Sequence, residues 1–130
     1  MNAKRLAKIL YVEDDADIRE VAVLALEAVG GYTVKTCASG AAAVAEAPQF
    51  LPDLLVLDVM MPGLDGPATL ARLRELPELA GVPAIFMTAT VQSKDVDALL
   101  ALGAIGVVPK PFDPMLLAAQ IAGIYERHSS

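Results

Sequence analysis

Short runs of strand-forming residues alternate with amphipathic stretches along the whole chain. Five runs have the length and side chains of β-strands, and a stretch with helical spacing separates each run from the next. The runs cover residues 9–12, 33–37, 54–57, 84–87 and 105–108. This repeated alternation predicts an α/β domain in which helices cover both faces of a parallel sheet.

The polarity of the runs predicts where each strand lies in the sheet. The first, third and fourth runs are almost wholly apolar, as expected of strands that are covered on both faces. The second run is polar at alternate positions and the fifth ends at Pro109, so these two belong at the edges. With right-handed crossovers the natural order is 2-1-3-4-5, a flavodoxin-like doubly wound sheet with five helices, although another doubly wound order is compatible with the sequence.

The first helix is predicted from an apolar stripe that stops before Gly30 and Gly31. The stripe consists of Ile18, Val21, Ala22, Ala25 and Val29. Asp15 and Asp17 are the candidate caps of this helix, because acidic side chains stabilise a helix N-terminus.

Capping and turn-forming residues place the other four helices. The residues predicted to open them are Ser39, Gly66 with Pro67, Ser93, and Asp113 with Pro114. The fourth helix is expected to bury Val96, Leu99 and Leu100 at helical spacing. The polar stretch 126–130 is expected to fray.

Composition and charge favour a cytoplasmic domain whose partners are proteins. The 130 residues fit one domain with a core at about residues 7–125, and the 55% hydrophobic content is divided into runs far shorter than a membrane-spanning helix. The formal charge of −6 argues against direct nucleic-acid binding, because neutralising phosphates requires clustered Lys and Arg. The single cysteine, Cys37, cannot form an internal disulfide, which fits a reducing compartment. Because the hydrophobic runs are so short, we expect no membrane insertion.

Polar side chains stand at the ends of four of the five predicted strands. They are Glu13, Asp14, Asp58, Thr88 and Lys110. Taken alone, each has a simpler interpretation, since Asp forms turns, acidic residues suit helix starts, Thr is common in strands and Lys is usually exposed. In an open α/β sheet, however, the crevice beyond the carboxyl ends of the strands is where ligands bind. Their joint placement therefore favours a functional site.

The chemistry of this predicted site favours Mg²⁺ and phosphorus. Three carboxylates on one rim repel one another, so the site should recruit a divalent cation and the Lys110 ammonium group. Zinc ligands are missing, since the sequence has one cysteine and one histidine, His128, and it has no glycine-rich phosphate loop or dinucleotide fingerprint. Asp58 is then the candidate nucleophile toward phosphorus, with Mg²⁺, Lys110 and the Thr88 hydroxyl stabilising the transferring oxygens.

Together these residues resemble the receiver domain of two-component response regulators, and the resemblance covers almost the whole chain. The shared positions are the acidic pair Glu13 and Asp14, the phosphoacceptor Asp58, Met60 as donor of a backbone carbonyl to the metal, the switch hydroxyl Thr88 with its small neighbour Ala89, and the lysine motif Lys110, Pro111 and Phe112. Each position alone is a weak signal. The complete set at the right strand ends is highly specific.

The resemblance implies a phosphorelay function. A phosphoryl group would pass from a phosphohistidine of a sensor histidine kinase or a histidine phosphotransfer protein to Asp58, with Mg²⁺ bound by Glu13, Asp14, Asp58 and the Met60 carbonyl. It also implies slow autodephosphorylation, a cis peptide bond between Lys110 and Pro111, and no independent enzymatic activity beyond self-phosphorylation from a phosphodonor. The surface of the fourth helix, fifth strand and fifth helix would signal to a downstream effector or output domain. Homodimerisation through the last helices stays open.

Three departures from the family pattern bear on this function. Glu13 stands where the family commonly has Asp, and Val107 where many receivers carry a Tyr or Phe whose rotation reports phosphorylation. Pro109 removes a backbone donor beside the lysine. One alternative is therefore a receiver-like scaffold that binds partners without phosphorylation. Another is a metal-dependent phosphohydrolase acting through Asp58, which lacks an obvious second acid for the leaving group.

Overall fold

The five strands form one parallel sheet in the order β2-β1-β3-β4-β5, which confirms the predicted fold. The computed structural model describes residues 5–129. Its strands are β1 (Lys8–Val12), β2 (Thr33–Cys37), β3 (Leu54–Asp58), β4 (Ala84–Thr88) and β5 (Gly106–Pro109). Its helices are α1 (Ala16–Leu24), which continues as a π-helical segment (Ala25–Val29), α2 (Gly40–Phe50), α3 (Gly66–Arg74), α4 (Ser93–Ala101) and α5 (Leu117–Ser129). No helix within residues 5–129 is long and apolar enough to cross a membrane.

The core lies on both faces of the sheet, because side chains alternate between the faces along each strand. One face packs β1, β3 and β4 against α2, α3 and Leu99 of α4, and the other packs them against α1 and α5. All five residues of β3 and of β4 are buried, as predicted for central strands, whereas β2 at the edge is only partly buried. Because both faces are closely packed, the sheet holds the residues at its strand ends in fixed positions.

The register of the sheet brings four strand ends to one edge. Val12 pairs with Leu57, Asp58 with Met87, and Thr88 with Pro109. Residues at or just after these positions therefore lie side by side on the rim, although they are far apart in the sequence. Pro109 is tolerated because β5 is an edge strand, as predicted.

The π-helical segment explains why the end of the predicted stripe of the first helix is wrong. Ala22 and Ala25 are buried as expected, but Val29 within the segment is exposed. Val21, which precedes the segment, is also exposed, and Leu26 is fully buried four residues after Ala22. A π-turn contains one residue more than an α-turn, so it rotates the face that follows it. Gly30 caps the end of the segment, and Gly31 adopts a positive φ of 76°.

Several predicted helix ends are confirmed and others are wrong. The Asp15 carboxylate caps α1 by accepting from the Ile18 amide at 3.0 Å, and the Ser39 hydroxyl oxygen caps α2 by accepting from the Ala42 amide at 3.1 Å. Ser93 does not cap α4, because Gln92 holds the cap position and Ser93 is already helical.

The last two helices depart from their predictions in packing and length. Of the three α4 residues predicted to be buried, Leu99 is buried, Val96 is half-buried and Leu100 is exposed. The regular part of α5 begins at Leu117, after a turn in which the Asp113 carbonyl accepts from the Leu117 amide at 3.0 Å. The stretch expected to fray continues α5 as far as Ser129. Residue 130 lies outside the described range.

Candidate functional site

Three carboxylates meet at the rim formed by the ends of β1 and β3. Glu13, Asp14 and Asp58 each place a carboxylate oxygen within 4.8 Å of the others. Glu13 is 1% exposed and Asp58 is 3% exposed, whereas Asp14 faces solvent. Two anions that are withdrawn from water at this separation destabilise each other unless a cation compensates them.

Lys110 supplies one such cation. Its Nζ atom lies 3.0 Å from Oδ1 of Asp58 and 3.1 Å from Oε1 of Glu13, and its side chain is 21% exposed. The lysine reaches the carboxylates from the end of β5, where its own amide donates to the Thr88 carbonyl at 2.8 Å. The Lys110–Pro111 peptide bond is cis, as the family resemblance implied.

The pKa values of these groups follow from burial and from the charges around them. Burial raises the pKa of Glu13, and the Asp58 charge adds to this, while hydrogen bonds from the Asp15 amide and from Lys110 oppose it. Burial lowers the pKa of Lys110, but its hydrogen bonds to Asp58 and Glu13 outweigh that effect and leave the pKa raised. Burial, then the charges of Glu13 and Asp58, raise the pKa of Tyr11 on β1. The pocket thus favours bound protons and cations.

The raised pKa of Glu13 has a measurable consequence for stability. We expect Glu13 to make the free energy of unfolding of the metal-free protein fall as pH rises from its ordinary pKa of 4.5 through its raised value. In that window the folded state holds a proton that the unfolded chain has released, so a rise in pH penalises the folded state. Glu13→Gln removes the titrating group and should flatten this part of the profile.

Urea unfolding in EDTA at successive pH values measures this effect. Glu20→Gln, at an exposed position of α1, is the matched control and should keep the wild-type profile. Equal slopes for Glu13→Gln and the wild type would show that the buried carboxylate does not titrate in this way.

The backbone that follows Asp58 is held in place from two sides. The Val59 amide donates to the Met87 carbonyl at 3.0 Å, and the Gly66 amide donates to the Val59 carbonyl at 2.9 Å. A Cβ atom on Gly66 would lie 2.5 Å from the Asp58 carbonyl oxygen, so only glycine allows the start of α3 to pack this closely. The sequence predicted Gly66 as a helix start, and the structure adds its contact with Asp58.

The loop between β1 and α1 is tied down in a similar way. The Asp15 amide donates to Oε2 of Glu13 at 3.1 Å, and the Glu13 amide donates to the Cys37 carbonyl at 3.1 Å. Arg19 donates from Nη1 to the backbone carbonyls of Glu13 at 2.8 Å and Asp14 at 3.0 Å. The sequence reasoning missed Arg19. A cation in the first turn of a helix opposes the helix dipole, and that conflict is a signal that could have identified it.

The other two predicted site residues lie at the same edge of the sheet. Thr88 is buried at the end of β4, and its hydroxyl oxygen accepts from the Thr90 amide at 3.2 Å. Met60 lies in the loop after β3 with its side chain 77% exposed, so its role would fall to its backbone carbonyl. His128 is exposed in the last turns of α5.

A further buried carboxylate lies far from this cluster. Asp53 lies before β3, at the opposite end of the sheet, and its Oδ2 accepts from the amides of Ala7 at 3.0 Å and Lys8 at 2.9 Å. These bonds tie the start of β1 to the start of β3. The acids of the rim instead lie close to one another, where a cation can join them.

The donor set of the rim suits Mg²⁺. This ion prefers oxygen ligands, keeps several waters and typically binds through one or two carboxylates. Glu13, Asp14 and Asp58 offer three carboxylate oxygens in one cluster, and the exposure of Asp14 leaves a route from solvent. The residues therefore fit a magnesium ion.

Comparison with known proteins assigns the family. The sequence profile described as "Response regulator receiver domain" matches residues 9–122. The chain belongs to the response regulator receiver family. The receiver is 40% identical over 119 residues to the transcriptional regulatory protein CseB of Streptomyces coelicolor, a match that covers 92% of this chain and 49% of that protein. It is 33% identical over 122 residues to the DNA-binding dual master transcriptional regulator RpaA of a Synechocystis species, covering 94% of this chain and 50% of RpaA.

Solved structures agree with this assignment. The receiver superposes on the chemotaxis response regulator CheY4 of Vibrio cholerae with a TM-score of 0.84 and 29% identity, covering 92% of this chain and 99% of that one. A response regulator from Chloroflexus aurantiacus gives a TM-score of 0.82 with 32% identity, covering 95% and 100% of the two chains. The receiver thus spans nearly all of these chains but about half the length of the curated relatives it matches.

Proposed function

We propose that this receiver accepts a phosphoryl group on Asp58, in the presence of Mg²⁺, from a phosphohistidine of a sensor histidine kinase or a histidine phosphotransfer protein. One observation carries the proposal. The buried Asp58 carboxylate lies 3.0 Å from the Lys110 ammonium group, within a cluster of carboxylates that suits Mg²⁺. A carboxylate placed among cations is suited to attack phosphorus, because the charge that develops on the phosphoryl oxygens is stabilised.

The transfer would replace a phosphorus–nitrogen bond of the donor with a phosphorus–oxygen bond on Asp58. An oxygen of Asp58 attacks phosphorus, the bond from phosphorus to the donor's imidazole nitrogen breaks, and the electron pair leaves with that nitrogen. Lys110 contacts Asp58 already and would bind a phosphoryl oxygen after the transfer. Glu13, Asp14, Asp58 and the Met60 carbonyl would hold Mg²⁺, which would supply positive charge to stabilise the phosphoryl oxygens. Water would later hydrolyse the acyl phosphate slowly.

The change would reach the surface through the end of β4. The Thr88 hydroxyl would turn from the Thr90 amide, which now donates to it at 3.2 Å, and donate to the phosphoryl group instead. Thr90 also donates to Asp95 of α4 at 3.1 Å, so a movement of this loop reaches that helix. Val107 on β5 is only half-buried and has no ring to rotate, which favours this route. An effector or output domain would then recognise the surface formed by α4, β5 and α5.

A receiver-like scaffold is the second candidate function. Val107 favours it, because the aromatic residue that commonly reports phosphorylation is replaced by a smaller side chain. On this alternative, partners would bind the same protein surface whether or not Asp58 is modified.

Phosphoryl uptake from a small donor tests the proposal. The wild-type protein is incubated with acetyl phosphate and Mg²⁺, and intact mass should show one added phosphoryl group that is absent when EDTA replaces the metal. A protein that stays unmodified under these conditions would favour the scaffold. Rapid, repeated release of phosphate from acetyl phosphate without a modified protein would instead favour a phosphohydrolase.

A further inference from the structure

We infer that Arg19 is a positioning residue that orients the acidic pair Glu13 and Asp14 for Mg²⁺. The inference rests on the proposed function in one respect, the assignment of Mg²⁺ to this pair. It concerns a residue of α1 whose side chain contacts the backbone of both acids and which the sequence motif does not contain.

The contacts of Arg19 are directed at the backbone of the loop. One nitrogen, Nη1, donates to the carbonyl oxygens of Glu13 at 2.8 Å and Asp14 at 3.0 Å, which lie six and five residues earlier. Two successive carbonyls bound by one donor hold both peptide planes at a fixed angle to α1. Because the direction of each side chain depends on its flanking peptide planes, this tie also fixes where the two carboxylates point.

The position of Arg19 would be unfavourable without such a role. It is the fourth residue of α1, where the helix dipole disfavours a cation. The guanidinium group also forms no ion pair with a carboxylate anywhere in residues 5–129, although the acidic cluster is adjacent. Arg19 therefore donates to the backbone carbonyls of the loop and does not neutralise a carboxylate.

Geometry and charge predict opposite effects on Mg²⁺. If Arg19 acted only through its charge, its removal would relieve repulsion of the metal and Mg²⁺ would bind more tightly. If it positions the carboxylates, its removal loosens the ligands and Mg²⁺ binds more weakly. Residues that orient metal ligands typically change metal affinity by about 10–100-fold when they are replaced. The sign of the change thus separates the two roles.

Titration calorimetry with Mg²⁺ alone tests the inference on three variants. Arg19→Ala removes both hydrogen bonds and the charge, while Arg19→Lys keeps the charge but loses the planar geometry of the guanidinium. Arg72→Ala, at an exposed position of α3, is the matched control. We expect about 10-fold weaker Mg²⁺ binding in Arg19→Ala, a smaller loss in Arg19→Lys, and wild-type affinity in Arg72→Ala.

Amide hydrogen exchange without metal gives a second, independent readout. Exchange in residues 13–17 should be faster in Arg19→Ala than in the wild type, while exchange in β4 stays slow. Unchanged or tighter Mg²⁺ binding by Arg19→Ala overturns the inference, whatever the exchange data show.

The same measurements separate this inference from the proposed function. A wild type that binds Mg²⁺ but is not modified by acetyl phosphate would end the proposed function and leave the role of Arg19 standing, provided that the variants bind Mg²⁺ more weakly. A wild type that is modified normally, beside variants with undiminished Mg²⁺ affinity, would end the inference alone. A wild type that binds no Mg²⁺ overturns both.

Discussion

Asp58→Asn should abolish phosphoryl uptake from acetyl phosphate, with no modified protein detectable by intact mass. The amide that replaces the carboxylate is a far weaker nucleophile and carries no charge for Mg²⁺. The fold should persist, because Asn is nearly the same size and its substitution removes one anion from a cluster in which two of three acids are buried. In EDTA we therefore expect a melting temperature at least as high as that of the wild type.

Asp97→Asn is the matched control for this substitution. Asp97 is exposed on α4, so the variant has the same net charge as Asp58→Asn and should be modified like the wild type. One phosphoryl group on Asp58→Asn at the wild-type rate would mean that another residue is the acceptor, and the proposed role of Asp58 would have to be abandoned.

Lys110→Ala should keep Mg²⁺ binding but lose the conformational response to phosphorylation. Lys110 contacts Asp58 and Glu13 but is not itself a metal ligand. Its removal therefore leaves the carboxylate oxygens for Mg²⁺ in place. Its ammonium group lies 3.0 Å from the Asp58 carboxylate, and without it the modified state would lose the contact that distinguishes it from the unmodified state. The switch would then no longer be driven.

Hydrogen exchange in α4 and in the loop before it measures this response. Wild-type protein should show a change in exchange there after treatment with acetyl phosphate and Mg²⁺, and Lys110→Ala should show none. Lys94→Ala, at an exposed position of α4, should respond like the wild type. An unchanged response in Lys110→Ala would place the lysine outside the mechanism.

Removal of Lys110 should also destabilise the metal-free protein. Two buried carboxylates would lose their cation, and breaking a buried ion pair costs about 3–5 kcal/mol. Lys110 is 21% exposed, so we expect a smaller loss of about 2 kcal/mol in urea unfolding, with most of it recovered in Mg²⁺.

The edge strands were predictable because the polarity of a strand reflects how much of it is buried. A strand covered on both faces must be apolar at every position, so the polar alternation of β2 and the proline of β5 marked the two edges. The meeting of Glu13, Asp58 and Lys110 followed from the predicted strand order, since the carboxyl ends of parallel strands share one rim. The closeness of these side chains could thus be inferred before any distance was known.

Side-chain exposure on the helices was less predictable. The stripe of the first helix was predicted with a regular period, but the π-helical segment changes the phase at the end of that helix, where Val29 is exposed. Leu100 is likewise exposed, although it is the neighbour of the buried Leu99 on α4. Both outcomes depend on packing between elements, which the period of one helix does not contain.

The amino-acid sequence alone determined the α/β architecture, the edge strands and the rim on which the acids and the lysine gather, because periodicity and strand polarity are local properties. Only the tertiary structure decided the contacts that orient those groups. Lys110 lies between two buried carboxylates, Gly66 packs against the backbone of Asp58, and Arg19 donates to the carbonyls of the acidic pair. These contacts join residues from different elements at distances of a few ångströms. They depend on how helices and loops dock onto the finished sheet, and no local pattern encodes that docking.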